Sequence, residues 1–242
     1  MKKIFIALVT IGILTSSSPL KEKETESKTD KWESLFDGET LNGWHRFNRK
    51  GVAPIWTAKD GVLTFDPALR PKGDYIHDIV SDKIYKSFQL SIEWNISEGG
   101  NSGIFWAVQE GESHYYPFST GPEIQVLDNE RHPDAKANPN YHQAGALYDM
   151  VQPSKDVCKP AGEWNHIILN IDHNKNEGSV KLNGTKIVEF PLSGTEWDTM
   201  VSNSKFNDDC GFKGFGKMKA GKIGLQDHGN KVSFRNIKIR KL

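Results

Sequence analysis

Cysteine is scarce in this chain of 242 residues, with only Cys158 and Cys210. Their spacing suits neither a zinc finger nor a CxxC redox pair. A disulfide between them is the expectation for an exported protein, and closing a loop of about fifty residues would add about 4 kcal/mol in the chain-entropy picture. Charge of one sign is also missing: 31 basic residues balance 31 acidic ones, and no basic run of five follows the first residues. That excludes a nucleic-acid partner gripped through its phosphates. Long apolar runs are absent too. The stretch Ile4 to Leu14 is too short to span a bilayer, and it lies between Lys2-Lys3 and the small residues Thr15 to Ser18. This is the order of a cleaved secretory signal. Residues 1–18 are therefore expected to be a signal peptide. Residues 19–31, mostly Lys, Glu, Ser and Thr, are expected to be a flexible tether, and residues 32–242 the working domain. The mature chain is expected in the periplasm or outside the cell, without a membrane span. No HExxH, nucleophile elbow, phosphate loop or dinucleotide fingerprint occurs, so none of those chemistries is signalled and no cofactor is expected.

The chain is rich in turn formers and aromatics, with 22 glycines and 10% Phe, Trp and Tyr. In Phe88 to Ile96, Phe88, Leu90, Ile92, Trp94 and Ile96 alternate strictly with polar residues, the pattern of a strand with one face on a core. Asp60-Gly61 and Asn183-Gly184 sit between apolar flanks as two-residue hairpin turns. Leu35, Phe36, Leu41 and Trp44 form a first apolar layer, and further strands are expected over Gly145–Tyr148, Trp164–Asp172 and Val232–Arg240. In the last of these Val232 and Phe234 are out of phase with Ile237 and Ile239, which a bulge at Arg235-Asn236 would repair. Ser193 and Glu196 have capping-box spacing, so a helix is expected over about 196–204. Ten or more short strands with little helix predict an all-β sandwich of two sheets.

The stretch Gly121 to Asp128 carries the polar residues of most interest. Ile124 and Val126 would point inward, leaving Glu123 and Gln125 on the opposite face about 7 Å apart. If segments bearing Asn101, Trp106, His142, Tyr148, Asp149, Gln226 and His228 join that strand in one sheet, the polar face becomes the floor of a cleft. Trp106 is the candidate platform for a sugar ring. Glu123 is a candidate for a catalytic or substrate-binding role, His142 and His228 each set a titratable group among amide or phenol donors, and the loop Asn129 to Asn140 is long enough to be a functional lip. Asp128 is the candidate second carboxylate of a glycosidase, although five extended residues span about 16 Å and only a bulge would bring it near Glu123. The spacing is similar to the Glu-x-Asp-x-x-Glu motif of family-16 glucanases, with Gln125 and Asp128 standing where that motif has Asp and Glu. Asp149 or Asp227 could instead ligate a structural calcium.

Six motifs in series resemble the 3-keto-disaccharide hydrolase domain family. They are Leu35-Phe36-Asp37-Gly38 with Leu41-Asn42-Gly43-Trp44; Gly100-Asn101-Ser102-Gly103-Ile104-Phe105; Pro122 to Asn129; Gly145-Ala146-Leu147-Tyr148-Asp149; Gly162-Glu163-Trp164-Asn165; and Gly224-Leu225-Gln226-Asp227-His228-Gly229 with Phe234-Arg235-Asn236-Ile237. Ala107 stands where many members carry Arg. The resemblance implies a concanavalin A-like jelly roll of two curved antiparallel sheets. It also implies a carbohydrate substrate, a glycoside whose C3 hydroxyl has been oxidised to a ketone. A C3 ketone acidifies the C2 proton, and the resulting enolate can expel the group on C1 without an oxocarbenium ion. That route needs one base and a donor for the enolate oxygen. Glu123 or His142 would be the base, with Gln125, Asn101, Tyr148 or His228 as donors. The alternatives are a non-catalytic carbohydrate-binding sandwich and an ordinary two-carboxylate glycoside hydrolase.

Overall fold

Period-two alternation governs the architecture. In the computed structural model, which describes Met1 and residues 31–138 and 140–242, Phe88–Ile96 is a strand whose odd and even residues alternate between buried and half-buried. The signal segment over 2–18 and the tether over 19–30 lie outside the described residues. In chain order the strands begin with β1 (Glu33–Ser34), β2 (Trp44–Arg46), β3 (Trp56–Lys59), β4 (Val62–Phe65) and β5 (Ile79–Ser81). The long central strands β6 (Phe88–Ile96) and β7 (Asn101–Val108) follow, then β8 (Glu123–Leu127). The second half supplies β9 (Asn165–Asp172), β10 (Glu177–Leu182), β11 (Thr185–Phe190), β12 (Lys222–Leu225) and β13 (Val232–Lys241). Two helices accompany them, α1 (Asp134–Ala137) and α2 (Thr195–Asn203).

The strands form two antiparallel sheets. The larger has the order β11-β10-β9-β6-β13-β4-β3, with β1 added on β13; the smaller has the order β2-β5-β12-β7-β8. Apolar faces of both meet in one core that includes Trp56, Trp94, Phe65, Phe88 and Phe234. Each such side chain taken fully from water stabilises the sandwich by about 1.5–3 kcal/mol. This is the jelly-roll arrangement that the motifs imply.

The local signals explain the connections. Asp60 and Gly61, like Asn183 and Gly184, take positive φ at the β3–β4 and β10–β11 turns, the backbone twist that tight hairpins require. In β13 the pairing with β6 shifts between Arg235 and Lys238, and Asn236 has φ 52°, so the bulge restores the inward phase of Ile237. The helix α2 forms one residue earlier than expected and without the capping box. Gly194 is its N-cap, and the Ser193 hydroxyl instead donates to Asn176 Oδ1 at 2.9 Å. Residues 145–148 are not a regular strand; Leu147 makes isolated bridges to Ile124 and Val151. The expected disulfide is not formed. Cys158 and Cys210 are free thiols, Cys158 with its Sγ 3.3 Å from Lys159 O and Cys210 exposed in the turn Asp208–Cys210. Among the described residues no helix is long and apolar enough to cross a membrane.

Candidate active site

The floor of the site follows from register. Across β7 and β8, Phe105 lies opposite Glu123, Gly103 opposite Gln125 and Asn101 opposite Leu127. Residues directly opposed in an antiparallel pair share a face. Asn101, Glu123 and Gln125 therefore project from the same surface, while Ile104, Ile124 and Val126 point into the core. On the other side of β7, Gly224 of β12 pairs with Phe105, and the next residue on that face, Gln226, donates its N–H to Gly103 O at 3.0 Å. Gly103 is required at the centre. A Cβ there would overlap the carboxylate of Glu123, which lies across it.

The free edge of β8 is covered by the segment that follows α1. Gly145 N–H donates to Gln125 O at 2.8 Å, Gln125 N–H to Ala146 O at 3.1 Å, and Tyr148 N–H to Glu123 O at 3.0 Å. This irregular pairing buries all of β8 and sets Tyr148 beside Glu123. Lys205 and Phe206 arrive from the chain after α2, and Phe118 from the turn Pro117–Ser119. These residues, with Asn101, Gln125, Gln226 and His228, line a cavity of about 170 Å³.

Glu123 is 6% exposed, and among the described residues its carboxyl has no hydrogen-bond partner. Burial pushes its pKa up to about 8; Lys205 opposes the rise, and the carboxylates of Asp78 and Asp134 add to it. The carboxyl is thus held as an acid near neutrality and becomes a comparatively strong base once ionised. The Tyr148 phenol is raised as well, first by burial and then by Asp134 and Glu123, so it stays protonated. It donates to Asp134 Oδ2 at 3.1 Å. Partial burial, reinforced by His132 standing edge-on at 6.2 Å, lowers the pKa of His228, so its imidazole is neutral at neutral pH. Asn101 Oδ1, Gln125 Oε1 and Gln226 Oε1 are buried with no partner in the protein. Each unpaired polar atom costs about 1–3 kcal/mol unless a ligand satisfies it, which fits these amides to a hydroxyl-rich molecule.

Six of the expected residues thus converge: Glu123, Gln125, Asn101, Tyr148, Gln226 and His228. Four do not reach the cavity. Trp106 is 3% exposed and stacks on Phe190 in the core at 5.8 Å, so it offers no platform to a sugar. His142 is buried behind Tyr148, its ring parallel to the phenol at 4.2 Å. Its Nδ1 lies 2.8 Å from Asp134 Oδ1 and its Nε2 3.0 Å from Asp149 Oδ1, so neither nitrogen is left to take a proton from a ligand. Asp149 joins His142 to the backbone N–H of Lys205 at 2.8 Å, which makes it a strut of the site rather than a contact to substrate. Asp128 is spent on the chain turn. Burial would raise its carboxyl, but the N–H groups of Gly99 and Glu130 and the guanidinium of Arg131 outweigh this and hold it below the usual range. It is therefore neither an acid nor a nucleophile partner for Glu123.

The two carboxylates considered for a structural calcium are engaged elsewhere. Both oxygens of Asp227 receive Arg70 at 2.6 and 2.8 Å, and those of Asp149 receive His142, Asn138 and Lys205. Among the described residues no group of three or more His, Cys, Asp or Glu is placed to hold a metal ion. The residues missed from sequence are Lys205, Phe206, Phe118 and Asp134. Asp134 lies in the loop singled out as a lip, but nothing in local pattern marks the other three.

The profile of the 3-keto-alpha-glucoside-1,2-lyase-like domain matches residues 31–240. The 3-keto-disaccharide hydrolase of Bacteroides thetaiotaomicron is 34% identical over 259 aligned positions, covering 93% of this chain and 85% of that protein. A crystal structure of a proposed glycosyl hydrolase from Parabacteroides distasonis superposes with a TM-score of 0.80 at 32% identity, covering 93% of this chain and 98% of that one. A second from the same organism superposes at 0.65 with 25% identity, covering 88% and 100%. With every strand but the last residue of β13 inside the matched region, this chain belongs to the 3-keto-alpha-glucoside-1,2-lyase-like family.

Proposed function

We propose that this protein is a glycoside-cleaving enzyme that acts on sugars carrying a ketone at C3, with Glu123 as the base that removes the C2 proton. The carrying observation is the unpaired, buried carboxyl of Glu123, with a pKa of about 8, above a floor whose other polar groups are amides. A two-carboxylate glycosidase needs a second carboxyl about 5 Å away, or somewhat further for inversion. Here Asp128 is turned away and Asp134 is occupied by His142 and Tyr148. An elimination needs no second carboxylate. The name of the Bacteroides relative supports the same substrate class.

Glu123 takes the C2 proton, and the C–H pair becomes the C2=C3 bond of an enolate. When the C3 carbonyl re-forms, that pair makes C1=C2 and the C1–O pair leaves with the aglycone, which takes up a proton from water. Addition of water across C1=C2 then places hydroxyl on C1 and hydrogen on C2, giving net hydrolysis. The unpartnered amide oxygens of Asn101, Gln125 and Gln226 accept from the ring hydroxyls. A cavity of about 170 Å³ is smaller than a site for a drug-sized ligand, so one sugar ring enters and the aglycone stays at the mouth. The basic, apolar and small-residue order of the first residues supports export, and with it a reaction outside the cytoplasm.

Incubation with a 3-keto-glucoside and with its unoxidised parent tests the proposal. Aglycone release from the first alone, lost in Glu123→Gln, is the expected result. Release from the parent would establish a plain glycosidase, and binding of either sugar without turnover would establish a lectin.

A further inference from the structure

Among the described residues one ammonium reaches this cavity, that of Lys205, and several contacts fix its placement. Its Nζ lies 3.1 Å from Tyr148 Oη, 4.3 Å from the centre of the Tyr148 ring and 5.2 Å from that of Phe206. Its backbone N–H is tied to Asp149, and Asp149 to His142. The Tyr148 hydroxyl donates to Asp134, so its lone pairs are free to accept from Lys205. An ammonium has three N–H groups. One is directed at Tyr148, leaving others for a ligand in the cavity.

Resting on the reading of Glu123 given above, we infer that the Lys205 ammonium receives the negative charge that develops on the C3 oxygen and so makes the site select ketone-bearing sugars, with Tyr148 as its positioning residue. When Glu123 removes the C2 proton, the carbonyl π pair moves onto the C3 oxygen. A fixed cation there is worth far more to the enolate than to the neutral ketone, the condition for accelerating the chemical step rather than binding alone. A C3 hydroxyl accumulates no charge and gains nothing from it. His142 and Asp149 then have a purpose at one remove: the stacked imidazole and its two carboxylates fix Tyr148 and the Lys205 backbone. Groups facing the ammonium are the Glu123 carboxyl, neutral until it gives up its proton, the Tyr148 phenol at 3.1 Å and, beyond that phenol, Asp134.

The full-length enzyme and its Lys205→Met and Tyr148→Phe variants are compared on a 3-keto-glucoside in D2O. C2 exchange is followed by NMR and aglycone release by absorbance. Lys205 is exposed, so the Met variant should melt within a few degrees of wild type. Its kcat should fall by about 10²–10³ with KM changed only a few-fold, and C2 exchange should fall in parallel. The acid limb of its kcat/KM profile should move to higher pH, because the cation no longer favours ionised Glu123. Tyr148→Phe should give a smaller loss of kcat and melt a few degrees lower, having lost the hydrogen bond to Asp134. Exchange and release within a few-fold of wild type in Lys205→Met would overturn the inference while leaving Glu123 as the base. A raised KM with unchanged kcat would overturn it too, by making Lys205 a ground-state contact. A wild-type enzyme that neither exchanges C2 nor releases aglycone would overturn the underlying reading itself.

Discussion

Replacing Glu123 by Gln should make the protein more stable while abolishing its activity, and the gain should depend on pH in a defined way. In the fold the carboxyl titrates at about 8, against 4.5 for an unperturbed glutamate, and burial is the main cause. Between those values the folded state keeps a proton that the unfolded chain has released. The unfolded state then binds fewer protons, so stability falls as pH rises, by up to about 1.4 kcal/mol per pH unit. Below pH 4.5 the group contributes no penalty. By pH 7 it costs on the order of 3 kcal/mol, and above about pH 8 the cost is constant. The amide of Gln does not titrate and is nearly the same shape. Other buried carboxyls, such as Asp78 raised to about 7, are present in both proteins and largely cancel in the difference. Denaturant unfolding of both forms at half-unit steps from pH 4.5 to 9 measures the gap. It should open steadily from near zero and level off near pH 8. A gap independent of pH would show that Glu123 is solvated and ordinary, and the catalytic argument would lose its base.

Three further outcomes follow from the same geometry. For wild type, kcat/KM should rise with pH to a plateau above about 8, as the free-enzyme base ionises, while Glu123→Gln should lie about 10²–10⁴ below that plateau and lack the rise. Gly103→Ala should lose activity and about 1–3 kcal/mol of stability, read by steady-state assay and by melting, because its methyl group would displace the Glu123 carboxylate. Trp106→Ala should cost about 3–5 kcal/mol in denaturant unfolding yet leave the KM of the folded fraction unchanged, as befits a core residue stacked on Phe190.

Where the chain announced itself and where it did not can be traced to parity. The alternation in Phe88–Ile96, the Asp-Gly and Asn-Gly turns and the bulge at Asn236 are local patterns, and the sandwich follows from them. Within a strand, parity also settles who shares a face. Asn101, Gly103 and Phe105 project one way and Trp106 does not belong with them, so a site containing both Asn101 and Trp106 was inconsistent on one regular strand. Asp128 is out of phase with Glu123 and Gln125 for the same reason. His142 lies six positions before Tyr148, but that both its nitrogens are taken follows from the fold alone. Lys205 reaches Tyr148 across 57 positions through a segment with no periodic pattern, and no local rule connects such residues.

Parity also puts Gln125 beside Glu123, where a glycosidase would carry a carboxylate, and the surroundings explain the amide. The Gln125 side chain points its Nε2 at Asp134 Oδ2, at the long distance of 3.5 Å, while its Oε1 stays unpaired. A carboxylate at that position would face Asp134 and Glu123 with like charge and little water to screen it, and Glu123 would be driven to an even higher pKa. Gln125→Glu should therefore shift the rise of kcat/KM to higher pH and reduce activity at pH 7, without conferring cleavage of the unoxidised glycoside. The profile is measured on the 3-keto-glucoside and the parent sugar is assayed in parallel. An unshifted profile would mean that the two side chains are electrostatically independent. Cleavage of the parent would mean that the second carboxylate was all this floor lacked as an ordinary glycosidase, and that its single buried acid is not tuned to a ketone.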